Sequence, residues 1–132
     1  MTRAVAIAAA LAIAGPAVAE PAPAAEATLA VAPDELPDLL DRLRGQRVAV
    51  AADHRSLVID DIAGEGRPWV GVVERRGEAL WLVTATDALR LSGALARPRI
   101  AGPGYTVWAT GPRDGEVLAL RRIGVLRRPG RR

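Results

Sequence analysis

Trp69-Val70-Gly71-Val72-Val73-Glu74-Arg75-Arg76-Gly77-Glu78-Ala79-Leu80-Trp81-Leu82-Val83-Thr84 decides the fold class. Two runs of β-branched and aromatic residues, Trp69–Val73 and Leu80–Ala85, flank the polar turn Glu74–Glu78, which predicts strand, turn, strand. Outward from this stretch the same unit recurs twice. Arg47–Ala51 and Leu57–Ile62 flank Asp53-His54-Arg55, and Tyr105–Thr110 and Val117–Val125 flank Pro112-Arg113-Asp114-Gly115. The last turn carries Asp-Gly, a strong hairpin signal, because glycine supplies the positive φ that tight hairpins need.

Thr28–Ala32 and Ala88–Leu91 add short strands, and a Pro/Gly-rich connection runs from Ala94 to Gly104. Arg121-Arg122, between the alternations Leu118/Leu120 and Ile123/Val125, reads as a bulge or bend. Six or seven short strands in hairpin linkage predict a mainly β fold, a small antiparallel barrel or rolled sheet. One amphipathic helix precedes most of them. Leu36, Leu39, Leu40 and Leu43 fall on one helical stripe, with Asp34 as the expected N-cap, Pro37 in the first turn and Gly45 as the stop. Asp38 and Arg42 sit four apart on its wet side.

The amino terminus predicts export. Met1-Thr2-Arg3 is a basic opening, Ala4–Ile13 an apolar run, Gly15-Pro16 a breaker, and Ala17-Val18-Ala19 a small-residue cleavage site before Glu20. The apolar run is shorter than a bilayer crossing requires, so residues 1–19 are expected to be a removed signal peptide rather than an anchor. Residues 20–27, rich in Pro and Ala, read as a spacer. Residues 28–127 read as one small domain and 128–132 as a basic tail. The expected location is the periplasm or the outside of the cell.

The chain has no cysteine, which excludes a disulfide framework and thiol chemistry. Every basic side chain is arginine, a bias that the abundance of Ala, Gly and Pro ascribes to GC-rich coding. Charge is segregated: residues 20–66 carry a balance of −6, and residues 67–132 carry +8. Arg127, Arg128, Arg131 and Arg132 at the carboxyl end are therefore candidates for docking an envelope protein or anionic polymer, or for pairing with the acidic half.

Residues 67–127 resemble an OB-fold. The resemblance rests on the long strand with a mid-strand glycine (Trp69–Gly77), then Leu80–Thr84, Leu89-Arg90-Leu91, Tyr105–Gly111 and Leu118–Leu126. The family's usual helix between third and fourth strands has no counterpart in Ala94–Gly104, which holds Pro98, Gly102, Pro103 and Gly104. An SH3-like or LSm-like barrel, opened by the Arg47–Ile62 hairpin, is the alternative. The resemblance implies binding of an oligonucleotide or oligosaccharide across one face, by aromatic stacking and basic groups.

Strand alternation places Trp108 and Arg90 outward when Val107 and Leu91 point in, and Arg97 and Arg99 extend that surface. These four residues are the candidate face for an anionic or sugar-like ligand; export argues against nucleic acid as its natural partner. His54, the one histidine, lies in a turn beside common surface acids, without the several ligands a metal needs. No nucleophile elbow and no phosphate-binding glycine loop is present. The expectation is a non-catalytic binding module without a cofactor. The alternative is an envelope assembly protein docking through a strand edge or its arginine-rich end.

Overall fold

Each apolar alternation becomes a strand because it gives the backbone a side to bury and a neighbour to hydrogen-bond. The computed structural model describes residues 21–130. The predicted signal peptide, its cleavage point between Ala19 and Glu20, and Arg131 and Arg132 lie outside the described residues. The described chain is mainly β, with one α-helix and two sheets.

The smaller sheet holds β1 (Thr28–Ala30), β2 (Arg47–Val50) and β3 (Ser56–Asp61) in the antiparallel order β1-β3-β2. The larger holds β4 (Trp69–Arg76), β5 (Ala79–Val83), β6 (Ala88–Ser92), β7 (Thr106–Thr110), β8 (Arg113–Asp114), β9 (Val117–Ala119) and β10 (Arg122–Arg127). Its order is β10-β7-β4-β5-β6-β9-β8. The Gly77-Glu78 turn pairs Arg76 with Ala79 and Glu74 with Trp81, which fixes the register of the whole β4–β5 hairpin. Gly71 is where β4 meets its neighbour most closely: a Cβ there would stand 2.2 Å from the Val83 carbonyl oxygen.

The third strand–turn–strand unit differs from the expected simple hairpin. Asp114 and Val117 close a small hairpin of their own, and β9 then runs parallel to β6, pairing Arg90 with Val117 and Leu91 with Leu118. At Leu120-Arg121 the chain turns and β10 pairs antiparallel with β7. Two successive amides mark the turn: Leu120 N donates to Ser92 O at 3.0 Å, and Arg121 N donates to Thr110 O at 2.8 Å. The ends of β6 and β7, three positions apart in the order of the sheet, are thereby drawn together. The result is a rolled sheet, without a barrel closed by a continuous ladder.

Alternation sorts the side chains of the larger sheet into two cores. Trp69, Val73, Leu82, Leu89, Val107 and Leu118 fill the inside of the roll. Val70 and Leu126 point outward, and they meet Leu57 and Ile59 of the smaller sheet, Leu39 of α1 (Leu36–Arg42) and Leu43 just after its end. The smaller sheet and helix thus roof the outer face over β4, β7 and β10. Each fully buried leucine or isoleucine contributes about 1.5–3 kcal/mol of transfer free energy.

The helix has the predicted leucine stripe, the Arg42–Asp38 ion pair at 3.1 Å, and Gly45 at φ +88 beyond its end. Its cap differs. Glu35, not Asp34, occupies the N-cap position; its carboxylate accepts from Ala32 N at 2.9 Å and is held by an arginine described below. Residues 21–27 also differ from the expected extended spacer. Ala22 is fully buried in the inner core, and its amide donates to Arg67 O at 3.0 Å while its carbonyl accepts from Arg67 Nε at 2.7 Å. Residues Ala24–Ala27 make one turn of 3-10 helix that buries Glu26 against the Thr86 hydroxyl. Ala22 and Ala27 are the alanines of this segment that the fold buries, with Glu26 beside them.

Candidate functional site

The outer face of the larger sheet carries two tryptophans with different surroundings. Trp108 stands on β7 opposite Val70 and Gly124 and packs against the Leu57/Leu126 core beneath the roof. Trp81 stands on β5, half-buried, where neither the smaller sheet nor the helix covers the face. The register places Arg90 of β6 beside Trp81 on one side and Glu74 of β4 on the other. The Arg76 guanidinium lies over the Trp81 ring, 5.0 Å from its centroid, and its Nε donates to Glu74 Oε1 at 2.7 Å.

Beside this row a groove of about 360 Å³ runs along the end of the β4–β5 hairpin, lined by Arg75, Arg76, Glu78, Leu80, Arg90 and Pro98 among others. Arg75 shares the inward side of β4 with Val73, through its pairing with Leu80, but at the exposed rim of the roll. Among the described residues neither Arg75 nor Arg90 has an ion-pair partner. Chemically the arrangement offers one aromatic face, three guanidinium groups and the acceptors Glu74 and Glu78. It can hold anions by forked hydrogen bonds and flat or sugar-like rings by stacking.

The four residues expected to share a face do not form one surface. Strands β4 and β5 stand between Trp108 and Arg90, and the roof covers the Trp108 side. Arg97 and Arg99 are exposed in the connection after β6, close in chain to the groove-lining Ala96 and Pro98. Trp81 is not among the four residues that sequence reasoning put on the face. The signal was present, since Leu80 and Leu82 flank it and a two-residue turn brings Arg76 and Glu74 to its side.

Arg127 is engaged within the fold. Its Nη2 lies 2.6 Å from Glu35 Oε1, its Nε 3.0 Å from Glu35 Oε2, and it also donates to Ala30 O. The guanidinium holds the Glu35 carboxyl below its usual range. Arg122 does the same for Glu65 through a 2.9 Å contact, with Arg121 adding charge nearby. The acidic half therefore neutralises part of the basic half. Arg128 is exposed, on the rim of a polar cleft of about 640 Å³ between α1 and β10.

Arg113 bonds Asp87 at 2.7 Å, holding that carboxyl below its usual range, and stacks on Trp69 at 4.9 Å. Both contacts staple the β8–β9 hairpin to the end of the roll. His54 sits at the exposed β2–β3 turn with φ 60, where Asp53 Oδ1 accepts from Arg55 N at 3.0 Å. Among the described residues no three metal-capable side chains gather, and no helix is long and apolar enough to cross a membrane. No protein-family model, no curated protein and no solved structure matches this chain.

Proposed function

We propose that the chain is an exported, non-catalytic binding module that presents a basic and aromatic face to an anionic or sugar-like ligand. The observation that carries this reading is the Trp81–Arg90 pair on the part of the outer face left without a roof. Trp108 packs against the second core, whereas Trp81 lies beyond it with Arg76 over its ring and the exposed Arg90 at its side.

The strand path supports an OB-like arrangement. β4 is the long first strand with Gly71 at its middle, β5 and β6 follow, and β7 with the bent β9–β10 run completes the roll. OB-folds bind across the face of their second and third strands and the adjoining loops. In this chain those strands are β5 and β6, the ones that carry Trp81 and Arg90.

Retention on an immobilised anionic polymer tests the reading. Arg90→Ala and Trp81→Ala are expected to elute at clearly lower salt than the parent chain, and removal of residues 128–132 to change elution less. The reverse pattern would transfer the function to the carboxyl end.

A further inference from the structure

We infer that this face selects acidic oligosaccharides, chains of sugar rings bearing carboxylates, and that Arg76 is the gate that enforces the choice. The inference rests on the reading that the Trp81 face binds ligand, and it deepens it.

The gate follows from where the Arg76 guanidinium sits. It occupies the ring surface on which a sugar would stack, 5.0 Å from the centroid, and Glu74 holds it there at 2.7 Å. A neutral sugar must displace a cation from an aromatic face and gains only a stacking contact in return. A carboxylate changes the balance. It draws Arg76 off the ring into a forked, charge-assisted pair, with the unpartnered Arg90 on the opposite side of Trp81 to take a second oxygen. Stacking and ion pairing are then available only to a ligand that carries both a ring and a negative charge.

The same residues argue against a phosphodiester chain. Glu74 flanks Trp81 and Glu78 lines the groove; both carboxylates repel a phosphodiester chain and a uronate chain alike, but a uronate carries hydroxyl donors on every ring. Sugar hydroxyls donate to those acids. Single-stranded nucleic acid is gripped by stacking successive bases on several aromatics. This face supplies one: Trp69 lies inside the roll, Tyr105 packs on the inner core, and Trp108 is beneath the roof.

The test is titration calorimetry of the full chain at low salt with oligogalacturonate, its fully methyl-esterified form, inorganic polyphosphate and oligo-dT. The parent chain should bind oligogalacturonate at least about tenfold tighter than the ester, a gap of about 1.4 kcal/mol. Arg76→Ala should narrow that gap by strengthening the ester. Trp81→Ala should weaken oligogalacturonate, whereas Trp81→Phe, which keeps a ring and guards against a folding artefact, should retain most of the affinity. Equal binding of polyphosphate and oligogalacturonate, sensitive to Arg90→Ala but not to Trp81→Ala, would keep the anion-binding face and overturn the sugar selection. Tighter binding of oligo-dT would overturn it in favour of nucleic acid. Failure of every probe, or indifference of all of them to both Arg90→Ala and Trp81→Ala, would overturn the face itself.

Discussion

Gly124 of β10 lies directly against the Trp108 ring: a Cβ built on it would stand 2.3 Å from Cε2 and Nε1. The absence of a side chain at 124 leaves the indole the space it occupies beside β10. Gly124→Ala must push the ring or bend β10, and overpacking of this kind costs about 1–3 kcal/mol. Urea unfolding should show that loss without a change in slope, and a near-ultraviolet dichroism band from Trp108 should shift with it.

The Glu35–Arg127 and Glu65–Arg122 pairs make stability depend on acid. Both carboxyls have folded values lowered below their unfolded ones. Their contribution is therefore fully present above the unfolded glutamate pKa, about 4.3, and is lost as pH falls through the lowered folded values. Melting temperature should fall more steeply below that pH in the parent than in a Glu35→Gln/Glu65→Gln double variant. Parallel curves would remove both pairs from the account.

Neighbouring leucines of the helix stripe should respond differently. Leu39 is 1 % exposed and Leu40 is 39 % exposed. Leu39→Ala should cost about 2–5 kcal/mol, whereas Leu40→Ala should stay within about 0.5 kcal/mol. Thermal denaturation of the two variants under one buffer decides it.

How far residues alone reveal this fold depends on which physical rule governs each element. Alternation and turn chemistry are local, so the strands around Gly77-Glu78, the turn at Asp114-Gly115 and the break at Arg121 were legible, but not which strands that turn would join. The leucine stripe was too, although periodicity could not tell Leu39 from Leu40, because a four-leucine stripe is wider than the groove it enters. Trp108 was read correctly as outward from the roll and yet is covered, since alternation reports a side chain's face and not what a second layer places over it. The roof depends on contacts between residues such as Leu57 and Leu126, far apart in the chain. For the same reason the seating of Ala22 was hidden: nothing in a Pro/Ala run announces a cavity of its own size.

That seat gives a further prediction. Ala22 is fully buried and bonded in both directions to Arg67. Its amide should exchange with solvent as slowly as those of β4. Ala22→Asp would place an unpaired polar group in the inner core at a cost of about 2 kcal/mol or more, measurable by chemical denaturation. Fast exchange at Ala22 in the parent would show that residues 21–27 do not belong to the folded unit.

The consecutive amides of Leu120 and Arg121, one bonded to the end of β6 and the other to the end of β7, make the carboxyl-terminal segment a clasp. Without that stretch β6 and β7 have no common partner. A chain cut short of Leu120 would lack these two bonds and, with them, the contacts that hold the roll together.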